Sequence, residues 1–302
     1  MKGMYSMVEE NFKRGMLCTV LGSLSWGISG TCGQYLFSNY HIDAIFLTNC
    51  RLLGAGTILL LFALSNQRKQ LFDLLQTRQN WFRLFLFAVC GLLLCQITYL
   101  SAIQYSNSGT ATILQTLNVI MMAFLSCFHF RRLPTLRENI SVVLALVGVF
   151  LMVTGGTPSH MLLSPQGLFW GIGAAIGSVI YTILPNRLIV KWGTIPVNGC
   201  SMLIGGILLS SVSHPWTASV SLDIYGILAI IFIILIGTVA SFTLFLRGVG
   251  DIGPVKATFI GTLEPVSAAF SSFLWLNTPF CLADFFGFIC ILTTVYLITL
   301  RH

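Results

Sequence analysis

Two ionisable residues lie in stretches whose neighbours are almost all apolar. Glu264, in Thr262-Leu263-Glu264-Pro265, is about ten residues into one apolar run, and Arg51 is about eight residues from the end of another. If both runs cross a bilayer as helices, these positions are roughly 15 Å and 10 Å deep. A charge at such depth is costly enough to make each residue a functional candidate by default. Two roles fit Glu264. It can exchange a proton or hold a substrate amine, or it can bond backbone groups freed around Pro265 or stay paired with a cation. Two roles also fit Arg51, attraction of a substrate carboxylate and a tie between helices. A direct Arg51–Glu264 pair is one arrangement among these.

Uncharged polar residues in the same kind of stretch form a second set: Gln96 and Tyr99, Gln115 and Asn118, Tyr181, and Ser241. Serine and threonine in apolar helices usually bond their own backbone. Gln96, Gln115 and Asn118 cannot satisfy a whole amide that way, so they are expected to face a cavity. Trp26 sits in the middle of its segment, away from the aromatic belt of an interface. It fits a cavity wall or apolar packing. A hydrogen-bonding cavity with few charges suits zwitterionic or uncharged small molecules better than phosphorylated ones, which need more than one buried cation.

The elements that must position these residues follow from charge and hydropathy. The 302-residue chain is 56% hydrophobic and 8% charged, against about 25% charged in a soluble domain. Lipid must therefore solvate most of the surface. Ten apolar segments are read at Gly15–Phe37, Ala44–Leu64, Trp81–Gln104, Gly109–Phe130, Leu136–Thr154, Gln166–Leu184, Ile195–Ser213, Ile224–Leu246, Pro254–Leu276 and Leu282–Leu300. Of 16 Lys and Arg residues, all but Arg51 fall in six clusters separated by two segments each: Lys2/Lys13/Arg14, Arg68/Lys69/Arg78/Arg83, Arg131/Arg132/Arg137, Arg187/Lys191, Arg247/Lys256 and Arg301. Basic residues stay cytoplasmic during insertion, so ten crossings with both termini cytoplasmic are expected. That pattern also accounts for the net charge of +7 without nucleic acid. The connection Lys69–Asn80, with Leu71, Phe72, Leu74 and Leu75, reads as a short interfacial helix.

The segments repeat. Gly15 aligns with Gly167, and both helices that follow are rich in small residues, a pattern that brings helices close in lipid and would let the first and sixth slide on each other. Ala111-Thr112 with Thr116-Leu117-Asn118 matches Ala257-Thr258 with Thr262-Leu263-Glu264. Two related halves, 1–155 and 156–302, follow. Five crossings each make the second half enter upside down, a construction of secondary transporters whose site lies between the halves near the midplane.

With Ser25-Trp26-Gly27, Arg51, Ala257–Val266 and the tandem repeat in hand, the chain resembles the ten-helix EamA group of the drug/metabolite transporter superfamily along essentially its whole length. Gly193-Thr194-Ile195-Pro196 and Ser201–Gly206 are similar to a bacterial branch of carboxylate, amino acid and amine transporters. The resemblance implies an all-α integral membrane protein, a basket of ten helices around a central cavity. It implies a plasma-membrane permease that moves amino acids, related amines, carboxylates or analogues, often outward. One departure stands out: the family's proline in the fourth helix is replaced by Asn118-Val119, so Pro265 lacks its first-half partner.

Other signals point away from rival classes. Gly27-Ile28-Ser29-Gly30 matches an intramembrane protease pattern, but none of His41, His129, His160, His214 and His302 is expected near the midplane to serve as base. The nine cysteines form no C-x-x-C, so neither a disulfide framework nor a metal is implied. No phosphate loop or cofactor motif is present, and protons are the candidate coupling ion. Asn139-Ile140-Ser141 is a sequon on the expected cytoplasmic side. A membrane-embedded enzyme or a sensor is the alternative, and the repeat argues against both.

Overall fold

A computed structural model describes residues 2–129, 131, 133–156, 163–217, 220–252, 257 and 260–299. Arg132, His160, Lys256, Thr258, Arg301, His302 and the start of the ninth segment lie outside the described residues. Every regular element among the described residues is helical.

The helices are α1 (Lys2–Tyr40), α2 (Ala44–Asn66), α3 (Arg68–Gln76), α4 (Arg78–Gln104), α5 (Ser108–Gln115), α6 (Asn118–His129) and α7 (Leu136–Thr154). They continue with α8 (Pro165–Ile183), α9 (Asn186–Trp192), α10 (Thr194–Ser213), α11 (Ile224–Ile252), α12 (Leu263–Leu276) and α13 (Leu282–Thr299). By length and apolarity, α2, α4, α7, α8, α10 and α11 can each cross a membrane, and α13 has a shorter apolar stretch, Leu282–Leu297. α3 and α9 are the short helices of the Arg- and Lys-rich connections. Leu71 and Leu74 turn inward from α3 while Phe72 stays exposed.

Local chemistry sets the ends. Asn107 accepts a hydrogen bond from the Thr110 amide at 2.8 Å to start α5, and Asp223 accepts from Gly226 at 2.9 Å to start α11. Thr135 and Glu138 form a reciprocal capping box on α7. Ser164 caps α8, with Pro165 in its first turn, where a missing N–H costs nothing. Gly155 and Gly193, at φ 61° and 84°, close α7 and α9 in a conformation that side chains resist.

The fourth apolar segment is not the single helix expected from hydropathy. It breaks at Thr116-Leu117 into α5 and α6. The break needs no proline. The Thr116 hydroxyl takes the Ile113 carbonyl at 2.6 Å, and the Leu117, Val119 and Ile120 amides bond three residues back instead of four. A hydroxyl competing for a helix carbonyl favours such a tightened turn. Two further departures occur inside helices: Phe87–Leu93 of α4 and Leu235–Ala240 of α11 are π-helical. Such wide turns mark functional sites in many proteins.

Packing runs in pairs: α1 with α11, α4 with α8, α2 with α10, and α7 with α13, while α12 lies on α1 and α5 lies on α8. The small-residue faces of α1 and α8 are therefore spent on different partners, and the two helices do not form the sliding contact expected from their shared composition. A side chain on Gly27 of α1 would collide with backbone at Glu264 and Ala268, and one on Gly177 of α8 would collide with backbone at Cys95. Each glycine is what lets its helix approach the polar middle of a neighbour.

Candidate functional site

A cavity of about 540 Å³ opens where α1, α2, α4, α5, α6, α8, α11, α12 and α13 meet. Eight of the nine residues singled out from sequence line it: Trp26, Arg51, Gln96, Tyr99, Gln115, Asn118, Tyr181 and Glu264. The ninth, Ser241, does not. It is fully buried, and both its amide and its hydroxyl donate to the Ile236 carbonyl of the π-helical turn just before it.

Each lining group has a specific setting. Arg51 is 7% exposed, donating from Nε to the Thr238 hydroxyl at 2.7 Å and from Nη2 to the Gly237 carbonyl at 3.2 Å. Both acceptors belong to the π-helical turn of α11, so the widened turn supplies the oxygens that hold a buried guanidinium. Among the described residues, no acidic group approaches Arg51 within 4 Å, so the direct pair with Glu264 is not formed.

Tyr99 meets the Thr112 hydroxyl at 3.1 Å, and Thr112 in turn donates to the Ser108 carbonyl at 2.6 Å. The Asn118 amide nitrogen donates to Ser178 at 2.6 Å, and the Gln115 nitrogen faces the Cys95 sulfur at 3.8 Å. Trp26 is in contact with two rings of α11: Phe242, edge-on at 5.1 Å between centroids, and Phe245, tilted at 5.0 Å. Tyr181 continues the aromatic wall, 6.4 Å from Phe242 and 5.6 Å from Phe87. Sequence reasoning missed Phe242, Phe245, Cys95 and Ser178. The i, i+3 spacing of the two phenylalanines puts them on one face of α11, but nothing local showed that this face meets Trp26.

A polar cluster joins α1, α5 and α12. Thr31 meets Ser271 at 2.6 Å and Ser108 at 3.1 Å, and Gln34 donates to Thr278 at 2.9 Å while accepting from the Ser108 amide at 2.8 Å. Further along α1, Tyr40 donates to Asp223, joining the end of α1 to the start of α11. The Asp223 carboxylate holds the Tyr40 hydroxyl proton well above its ordinary range, and the same bond holds Asp223 below the usual carboxylate value. At the far end of the same two helices, Arg14 grips Asp251 with two bonds of 2.9 and 3.0 Å.

Comparison with known proteins gives the arrangement its context. The EamA-like transporter family matches twice, over residues 13–154 and 165–300. The chain is 37% identical to the uncharacterised inner membrane transporter YicL of Salmonella typhimurium, covering 95% of this chain and 96% of that one. An uncharacterised transporter of Methanothermobacter thermautotrophicus is 21% identical, over 94% and 85% of the two chains. A solved crystal structure of 16% identity has a similar fold, with a TM-score of 0.59 over 98% of this chain and 97% of the other. The chain belongs to the EamA-like transporter family, within the drug/metabolite transporter superfamily, and is a multi-pass membrane protein.

Proposed function

We propose that this member of the EamA-like family is a secondary permease of ten transmembrane helices, arranged as two inverted five-helix halves with both termini cytoplasmic. It moves small metabolites, amino acids or related amines, carboxylates and analogues, outward across the cell membrane by alternating access. Glu264 serves as its coupling or substrate-binding group, and Trp26, Gln96, Tyr99, Gln115, Asn118 and Tyr181 form the rest of the binding surface.

The observation that carries this reading is the pair of helix breaks at the cavity. Thr116, at φ −65° and ψ −11°, and Thr262, at φ −65° and ψ −7°, interrupt the fourth and ninth apolar segments beside the same space. Interrupted helices at the midplane, in corresponding positions of two halves, are how inverted-repeat transporters build a substrate site. The two π-helical turns, in the third and eighth segments, fit the same relation, as do the two family matches. So does the packing: α1 on α11 corresponds to α8 on α4 when the halves are exchanged. The lining runs from Arg51 and Tyr99 through Met122, Thr182 and Phe245 toward the ends that carry the basic clusters, which fits a cavity open to the cytoplasm with the Thr31–Ser271 contact on the outward side.

The test is flux in proteoliposomes under an imposed pH gradient. Wild-type protein is expected to move substrate against its gradient. Glu264→Gln is expected to leave at most downhill movement. Gradient-driven uptake that survives in Glu264→Gln removes Glu264 from the coupling step.

A further inference from the structure

We infer that the cavity selects a monovalent organic cation, an ammonium group carried on a flat apolar body, in preference to zwitterions and carboxylates. The inference rests on the transporter reading and narrows its substrate class.

The first argument counts hydrogen-bonding capacity. Several of the donors around the cavity are engaged inside the protein. The Arg51 guanidinium is 7% exposed and gives Nε and Nη2 to Thr238 and Gly237. Thr112 and Thr116 give their protons to helix carbonyls, and Thr182 gives its own to the Ser178 carbonyl. The amide nitrogens of Asn118 and Gln115 face Ser178 and Cys95. Among the described residues this leaves the side-chain carbonyls of Asn118 and Gln115 and both carboxylate oxygens of Glu264, which has no ion pair within 4 Å, as acceptors, beside the Gln96 amide and the Trp26 Nε1–H. A carboxylate on the lining with no cation within 4 Å among the described residues calls for a ligand with N–H donors. A substrate carboxylate would have to compete for a guanidinium that is held against α11 and is only 7% exposed.

The second argument is the aromatic wall. Trp26, Phe242 and Phe245 form one connected ring cluster. The Phe245 ring lies 3.6 Å from where a side chain at Gly261 would begin, one helical turn before Glu264, so carboxylate and rings share a wall. Ring faces attract cations, and a carboxylate beside them supplies the counter-charge. The rings also give a flat apolar body a surface to stack on. A volume of about 540 Å³ accommodates a molecule of this kind.

The experiment uses four ligands with one phenethyl body: phenethylamine, phenylalanine, 3-phenylpropionate and 2-phenylethanol. Thermal stabilisation of purified protein is measured with each at millimolar concentration. The amine is expected to bind about tenfold or more tighter than the other three. Glu264→Gln is expected to lose that preference, and Trp26→Leu to weaken amine binding while keeping the order. Equal or better binding of the zwitterion, the carboxylate or the alcohol overturns the inference, as does a panel in which nothing binds wild type or an amine preference that survives Glu264→Gln. The transporter reading is scored separately, with Cys95 as the sole cysteine and an impermeant thiol reagent applied from each membrane face. Labelling from both faces supports alternating access whatever the ligand series shows, and labelling from one face under every condition counts against transport itself.

Discussion

The helix breaks at Thr116 and Thr262 have nearly the same backbone and opposite chemistry. Both threonines adopt a tight turn, and both are followed by leucine and then a polar residue facing the cavity. In the first half that residue is Asn118, neutral and donating to Ser178. In the second it is Glu264, charged and without a hydrogen-bonded side-chain partner among the described residues, with Pro265 next in the chain. The backbone break is therefore independent of both charge and proline. A threonine hydroxyl and three-residue hydrogen bonds suffice in α6, while Pro265 sits in the first turn of α12, where its missing N–H has no helical partner to lose. Packing shapes the break, and one substitution within that shape places the charge.

The comparison can be broken most severely by moving the charge. Exchanging Asn118→Glu with Glu264→Asn is expected to reduce substrate transport by about tenfold or more, about 1.4 kcal/mol of binding, because the aromatic wall lies beside Glu264. Flux restored to wild-type level would mean that the two positions are equivalent. Crowding the second break should cost stability as well as activity. Gly27→Leu drives a side chain into the α12 backbone at Glu264 and is expected to cost about 1–3 kcal/mol, read as a lower melting temperature in detergent. Supplying the missing proline sharpens the comparison from the other side. Val119→Pro removes only the three-residue bond from the Val119 amide to Thr116 and is expected to cost about 1 kcal/mol, well below the roughly 3 kcal/mol of a proline inside a continuous helix. A full interior penalty would show that α5 and α6 act as one helix.

The smallest effect is at the rim. Asp223 has its pKa lowered by Tyr40, so the latch contributes above the ordinary carboxylate value of about 4 and is lost as pH falls through the lower folded value. Tyr40 is raised, so its proton stays in place past its ordinary value of about 10. Asp223→Asn keeps the helix cap and removes the charge, so its melting temperature is expected to lie slightly below wild type at neutral pH and to converge with it in acid. A constant offset across the acid range would exclude the latch as its cause.

Much of the cavity was legible because polar residues in apolar helices need a reason. Gln96, Gln115 and Asn118 were placed in it by the cost of burying an unsatisfied amide in lipid, and all three line it, as does Glu264, for which the sequence left two roles open. Ser241, a site candidate from sequence, instead follows the rule for hydroxyls, which can be satisfied by their own helix, and lies off the lining. Arg51 was legible as unusual but not as held by α11, since its acceptors are a threonine and a backbone carbonyl exposed only by a π-helical turn.

Composition and order by themselves determined that lipid is the main solvent, which stretches are apolar helices, and which residues are out of place within them. These follow from local hydropathy and from the price of charge in hydrocarbon. The tertiary structure decided which way each helix turns, that the fourth segment breaks at Thr116, that α1 and α8 spend their small faces on other partners, and that Phe242 and Phe245 join Trp26. The physical reason is that lipid and protein interior are both apolar, so helix rotation is set by side-chain packing across elements, and that information is not local to any one of them.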